Sequence, residues 1–424
     1  MGDQPLSAVI HIETPHTHDR NRDPVRKMDE ARELARAIEL EIVFEKIINV
    51  RKMDAGVLLS KGHLEDLVTM VKAQDIELVY INHPLTPIQQ RNLEKTLDAK
   101  VIDRTGLILE IFGARAQTRE GVLQVQHAAL KYQKSRLVRS WTHLERQRGG
   151  KGFLGGPGET QIEADRRAID EQIISLEVKI DQVRQTRALH RASRERSQTP
   201  VIALVGYTNA GKSTLFNRIC DSDVFAKDML FATLDPTMRQ FVLPSGKDAI
   251  LSDTVGFISD LPTELVAAFQ ATLEEVLYAD MILHVRDASN PEHPQQDEDV
   301  RAVLAAVGVR YDNPDQPIIE IFNKIDVDGA RELTVGFSHT SMISALTGEG
   351  VENMLAFVDK KLRPDFERVT IELAFNYGQA RAWLFERGAV QEEDVTENGY
   401  KLTIEWNDEI KNTFGERFGP IVTD

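Results

Sequence analysis

Cysteine is nearly missing from this chain: Cys220 is the only one in 424 residues. That excludes an intramolecular disulfide and any cysteine-based zinc cluster within the chain, and it fits a reducing compartment. No apolar run approaches the roughly 18 residues needed to cross a bilayer. The opening Met1-Gly2-Asp3-Gln4-Pro5 also lacks the basic-then-apolar pattern of a signal peptide. A cytoplasmic protein without a membrane span is expected. Positive charge is short as well: 51 Lys plus Arg against 67 Asp plus Glu leave a net −16. As a total, that argues against general affinity for phosphate backbones. His11, His16 and His18 are followed by no second ligand cluster at metal spacing, so they read as part of a polar terminus. What remains is a chain 42% hydrophobic and 28% charged, enough to bury a core, and long enough for about three domains.

Residues 1–114 alternate β-rich runs (Ala8 to Ile12, Ile42 to Val50, Ile76 to Ile81, Val101 to Asp103) with helical patterns over His63 to Ala73 and Pro87 to Leu97. A small α/β domain follows from that order. Residues 115–199 predict two long helices, about Thr118 to Arg148 and Thr160 to Arg196, around a glycine-rich loop at 149–158. Ile162, Ile169, Ile173, Leu176, Ile180 and Val183 recur at the spacing of a hairpin seam. Residues 200–363 alternate strands and helices from Val201-Ile202-Ala203-Leu204-Val205 onward, and 364–424 read as a small α+β module. The predicted fold class is therefore α/β: a domain with a mostly parallel sheet, preceded by a small α/β domain with a helical hairpin arm and followed by that module.

The chemistry is carried by residues 200–363. Gly206-Tyr207-Thr208-Asn209-Ala210-Gly211-Lys212-Ser213-Thr214 follows a strand and opens a helix, the setting in which glycines let backbone N–H groups curl round a β-phosphate. Lys212 would reach the β- and γ-phosphates, and the Ser213 hydroxyl would take one Mg²⁺ position. Asp253-Thr254-Val255-Gly256 ends the strand Ala249 to Ser252, so Asp253 can hold Mg²⁺ through water and the Gly256 N–H can meet the γ-phosphate. Between them lies Phe231-Ala232-Thr233-Leu234-Asp235, with Thr233 offering the second Mg²⁺ hydroxyl. Lys212, Thr233 and Gly256 are the candidate catalytic groups. Asn323-Lys324-Ile325-Asp326 follows the strand Ile318 to Phe322, and Asp326 can accept the ring N–H and exocyclic amine of guanine. Adenine would leave that carboxylate unpaired at a cost of about 1 to 3 kcal/mol per lost bond, which selects GTP and GDP. Ser344-Ala345-Leu346 could supply a backbone N–H for the guanine oxygen, and together these motifs predict that residues 200–363 are a Ras-like P-loop GTPase domain.

These motifs resemble the Obg-related GTPases and, within them, the HflX family. The closer resemblance rests on the loop from Gly206 to Ser213, on Phe231-Ala232-Thr233-Leu234-Asp235-Pro236-Thr237, on Asp253-Thr254-Val255-Gly256-Phe257-Ile258, on Gly156-Pro157-Gly158-Glu159-Thr160-Gln161 and on Val101-Ile102-Asp103-Arg104-Thr105. It covers roughly residues 40 to 363 and is weak in the C-terminal module. The family usually has an arginine just before Gly-Pro-Gly-Glu; here Phe153-Leu154-Gly155 precede Gly156, so no role of that arginine transfers. The resemblance implies a GTPase that binds the large ribosomal subunit and its rRNA and, in the GTP state, splits stalled ribosomes. The competing readings are a nucleotide-gated RNA-binding regulator of ribosome assembly whose hydrolysis is incidental, and a tRNA-modifying GTPase. A monomer is expected.

Two departures bear on rate. Phe257 stands where many GTPases carry a water-orienting glutamine, which predicts slow hydrolysis until a partner orders the loops. Asn209 suits a K⁺ beside the phosphates as well as it suits a simple loop cap. Charge, split by segment, is −4 over residues 1–114, +7 over 115–199, −12 over 200–363 and −7 over 364–424. The single basic segment is the arm. There Lys131, Lys134, Arg136, Arg139, Arg146, Arg148 and Lys151 face one acid, Glu145, and are the candidate RNA contacts. Arg184, Arg187, Arg191 and Arg194 follow on the return helix.

Overall fold

The computed structural model describes residues 4–14, 22–147, 157–197, 199–221, 230–231, 237–259, 270–311, 313, 316–337, 341–362 and 367–419. The chain divides into two compact units, Met1–Met354 and Leu355–Asp424.

The first unit opens with β1 (Leu6–Glu13), α1 (Pro24–Arg36), β2 (Glu41–Asn49), α2 (Lys61–Ala73), β3 (Leu78–Asn82), α3 (Pro87–Leu97), β4 (Lys100–Asp103) and α4 (Arg104–Arg115). Local signals fix these ends. Asp23 caps α1 ahead of Pro24, Thr86 and Gln89 form a capping box on α3, and the Asp103 carboxylate accepts from the Gly106 N–H to cap α4. The strands form a wholly parallel sheet in the order β2-β1-β3-β4. Central β1, flanked by β2 and β3, is buried on both faces from Ala8 to Ile12, His11 included at 4% exposed. Leu67 and Val71 of α2 with Leu93 and Leu97 of α3 cover one face; Leu34 of α1 and Phe112 of α4 belong to the core on the other.

The arm is α5 (Arg119–Gln147) and α6 (Pro157–Ser197). Ile169, Ile173, Leu176 and Ile180 are buried as the spacing predicts, with Leu176 and Ile180 packing on Leu123, whereas Ile174 and Val178 stay exposed. Ile162 lies where side chains are outside the described residues.

Next come β5 (Val201–Val205), α7 (Lys212–Cys220), β6 (Thr237–Val242), β7 (Asp248–Asp253), α8 (Gln270–Leu277), β8 (Met281–Asp287), α9 (His293–Ala306), β9 (Ile318–Asn323), α10 (Ala330–Leu333), β10 (Ser341–Met342) and α11 (Val351–Leu362). Six strands run β10-β9-β8-β5-β7-β6, parallel except for β6 against β7. The P-loop, Asp253, Asn323 and Ser344 all follow carboxyl ends of parallel strands, where an open α/β sheet binds its ligands.

In the second unit β11 (Glu367–Ala374), α12 (Gly378–Glu386), β12 (Val390–Thr396), β13 (Gly399–Trp406) and α13 (Asp408–Phe418) make an antiparallel sheet β11-β13-β12 with helices over Ile371, Trp383, Leu402, Ile404 and Phe414. Sequence periodicity misses β12 because Gln391-Glu392-Glu393-Asp394 carries the charge of an edge strand. It also misses α1, α4 and α13.

Candidate functional site

The P-loop is shaped by contact with its neighbours. Gly211 caps α7 at φ 90°, and a Cβ there would lie 2.2 Å from Asn323 Nδ2, so only glycine allows the approach. Asn323 bridges two motifs: its Nδ2 donates to the Ala210 carbonyl and its Oδ1 accepts from the Ala345 N–H, both at 2.8 Å. Lys212 Nζ donates to the Gly206 carbonyl at 3.1 Å and to the Tyr207 carbonyl at 2.9 Å. Burial pulls the Lys212 ammonium down to about 8, against the opposing pull of Asp253. Its charge is poised for a phosphate rather than balanced by a close carboxylate.

Ser213 Oγ donates to Asp253 Oδ2 at 2.7 Å, which brings a hydroxyl and a carboxylate together at the helix start. These hard oxygen donors fit Mg²⁺. Thr254 Oγ1 donates to the Leu204 carbonyl and ties the end of β7 to β5. Beyond it the loop runs beside the P-loop. The Thr208 N–H donates to the Phe257 carbonyl at 2.7 Å, and the Phe257 N–H donates to the Gly206 carbonyl at 3.1 Å. Phe257 is 3% exposed and belongs to the core shared with the N-terminal sheet, so its side chain is a packed one.

On the guanine side Asp326 is exposed, Lys324 Nζ pairs with Asp287 at 2.8 Å, and Ser344 and Ala345 are buried while Leu346 is 70% exposed. Arg218, which the motifs do not flag, donates to the Ala345 and Leu346 carbonyls and braces that loop from α7. Asn209 is exposed in the left-handed region at φ 59°, and Thr214 is half-buried on α7. Phe231 and Val255 are buried. Ala232, Thr233, Leu234 and Asp235 lie outside the described residues.

The arm's basic residues separate into different roles. Arg136 Nη2 pairs with the buried Asp103 carboxylate at 2.6 Å, bonds to Gln90 and stacks on Tyr132, so its charge is spent inside the N-terminal domain. Lys131 pairs with Glu177 at 3.7 Å and Lys134 with Asp170. Arg187 pairs with Glu120 and Glu274, both at 2.8 Å, and Arg184 reaches Glu274 at 3.8 Å; they fasten α6 to α8 instead of forming a free basic stripe. Arg139 and Arg146 fall on α5 where side chains are outside the described residues; Arg148 and Lys151 are wholly outside them, as is most of the glycine loop.

Sequence reasoning missed a contact between the N-terminal sheet and the phosphate side of the site. Tyr207 turns its hydroxyl toward the N-terminal sheet's helices: it donates to Glu30 of α1 and accepts from the Ser259 N–H at 2.6 Å. Ser259 Oγ donates to Glu30 Oε1 at 2.7 Å. Arg104 Nη2 donates to Glu30 at 2.5 Å and to the Ser259 carbonyl at 2.8 Å, while its Nη1 donates to Asn82 at 2.7 Å. Burial pushes Glu30 upward, but Arg104 and the hydrogen bonds from Tyr207 and Ser259 outweigh it and hold the carboxyl below its ordinary value. Nearby, Phe112 of α4 meets Phe231 edge to face at 4.9 Å. The only available signal was Val101-Ile102-Asp103-Arg104-Thr105, and it gave no partner. His284, Asp297 and Glu320 also gather ligand atoms, but Arg286 and Arg301 lie against the two carboxylates, which makes the cluster an ion-pair network.

A P-loop closed against an Asp-x-x-Gly loop, with an Asn-Lys-x-Asp and a Ser-Ala-Leu segment on the next strands of one parallel sheet, defines a guanine-nucleotide P-loop GTPase. Four family descriptions match in series: GTP-binding GTPase N-terminal over residues 25–113, GTP-binding GTPase middle region over 115–194, 50S ribosome-binding GTPase over 201–324, and HflX C-terminal domain over 334–422. The chain is 48% identical over 383 residues to the GTPase HflX of Magnetococcus marinus (90% of this chain, 88% of that protein) and 41% identical over 346 residues to that of Escherichia coli (80% of each). It belongs to the HflX family of GTPases, enzymes that bind GTP and hydrolyse it. The match over 334–422 extends the likeness into the C-terminal module, beyond the reach of the motifs. A solved GTP-binding protein from Sulfolobus solfataricus in complex with GDP matches at 20% identity with a TM-score of 0.45, covering 85% of this chain and 99% of that one. Among the described residues, no helix is long and apolar enough to cross a membrane.

Proposed function

We propose that this GTPase is a cytoplasmic, monomeric factor that binds the large ribosomal subunit in its GTP state, splits or rescues stalled ribosomes under stress, and leaves on hydrolysis. The observation that carries the reading is the family match of residues 201–324 to a 50S ribosome-binding GTPase, joined to a chain whose one net-basic segment is a helical hairpin. RNA contact would fall on Arg139, Arg146, Arg148 and Lys151, because Arg136 is engaged with Asp103.

Ser213 and Thr233 would hold Mg²⁺ directly and Asp253 through water; bound there, the ion neutralises charge developing on the phosphates. Lys212 gives up its P-loop carbonyls for the β- and γ-phosphates, and the Gly256 N–H meets the γ-phosphate. Phe257 offers no hydrogen bond to an attacking water, so turnover is slow until the ribosome orders the loops around Thr233 and Phe257. A K⁺ held by Asn209 would add positive charge beside the phosphates, and equal rates in K⁺ and Na⁺ would remove that element.

Sedimentation and GTP turnover with purified large subunits, vacant ribosomes and stalled ribosomes test the reading. GTP-dependent co-sedimentation, stimulated turnover and appearance of free subunits are expected. Fast turnover without ribosomes, or binding that ignores the nucleotide, overturns it. If a non-hydrolysable analogue supported repeated rounds of function, the alternative of a nucleotide-gated assembly regulator would replace it.

A further inference from the structure

We propose that Glu30 and Arg104, on the N-terminal sheet's helices, are positioning residues of the GTPase site: by gripping Tyr207 and Ser259 they hold the Asp253–Gly256 loop closed on the P-loop, and so set its preference for GDP over GTP.

The carboxyl ends of β1, β3 and β4 are where a parallel α/β sheet offers a crevice to a ligand. Here Asn82 at the end of β3 holds Arg104, and Arg104 reaches the Ser259 carbonyl and hydroxyl. The crevice is filled by the GTPase domain's own loop. Ser259 is held at three polar atoms, N–H, carbonyl and hydroxyl, and is 8% exposed. Two residues earlier, Phe257 exchanges backbone hydrogen bonds with Gly206 and Thr208. Gly256 is thereby pressed onto the P-loop: a Cβ on it would lie 2.8 Å from Thr208 Cα and 3.1 Å from Lys212 Nζ.

A γ-phosphate has to stand between the Lys212 ammonium and the Gly256 N–H, the space that this closure takes up. GDP carries no group there. To admit GTP the loop must lift at Gly256 and Phe257. With consecutive Cα atoms about 3.8 Å apart, a lift of phosphoryl size cannot be absorbed over the two residues before Ser259 without straining its three bonds. GTP binding therefore works against the grip and GDP binding does not, so the grip enters the ratio of the two affinities. By reciprocity, GTP loosens the N-terminal domain's hold on the loop.

The test uses the full chain without ribosomes, so its failure is separate from failure of the ribosome reading. Dissociation constants for GDP and a non-hydrolysable GTP analogue are measured for wild type, Glu30→Gln and Ser259→Ala. Each substitution is expected to favour the GTP analogue over GDP by about three- to tenfold, the factor of one net hydrogen bond. The double variant should gain less than the product, because both changes cut one contact. Glu292→Ala, which removes the acceptor of the Asp23 N–H elsewhere on this interface, should leave the ratio unchanged. If Glu30→Gln does not fold, Tyr207→Phe removes the hydroxyl alone and carries the same expectation. An unchanged ratio, equal weakening for both nucleotides, or the same shift in Glu292→Ala overturns the proposal.

Discussion

At the residue scale, Lys212 and Arg136 differ in whether burial comes with a close counter-charge. Lys212 sits buried on two carbonyls and is pulled down to about 8 from its ordinary 10.5. Between those values the unfolded chain binds the extra proton, so stability of the nucleotide-free protein rises with pH across roughly pH 8 to 10.5, by about 3 kcal/mol. Lys212→Met should remove that rise, increase the nucleotide-free Tm at pH 7 and abolish GDP binding; Tm scans of both proteins across pH check it. Arg136 is the opposite case, since its partner Asp103 is 2% exposed. Arg136→Ala should destabilise the N-terminal domain by about 2 kcal/mol, read by urea titration, whereas truncating a solvated arm arginine would change stability little. Burial raises the Cys220 thiol to about 11, so it is protonated and unreactive near neutral pH.

At the scale of elements, the loop after β7 shows how one position serves packing in place of chemistry. Phe257→Gln installs the residue other GTPases use, but the side chain at 257 packs into the core. We expect a loss of about 3 kcal/mol of stability from the buried ring and amide, with no gain in intrinsic GTP turnover; a turnover increase would show that this side chain reaches the phosphates. The arm obeys similar logic. Arg187 joins α6 to Glu274 of α8 and Glu120 of α5, so Arg187→Ala should speed hydrogen exchange at the base of α6 without altering GDP affinity.

At the scale of the whole molecule, charge is segregated: a basic arm in a chain of −16. Reversing Arg139, Arg146, Arg148 and Lys151 to Glu should abolish ribosome co-sedimentation and leave GTP affinity unchanged, and raising salt on wild type should weaken sedimentation in the same way. The sequence by itself determined the motifs, their strand-end setting and the hairpin seam, because a strand period, a helix period and a glycine-rich phosphate loop are local properties written in adjacent residues. Edge strand β12 escaped since edge strands are charged, and past Ser344-Ala345-Leu346 the family match over 334–422 carries no short chemical motif. Only the tertiary structure decided what Tyr207, Glu30, Arg104, Arg136 and Arg187 do. Each is a polar group whose partner lies more than 20 positions away in sequence. An ion pair's worth depends on how far folding takes it out of water, and no linear pattern records that.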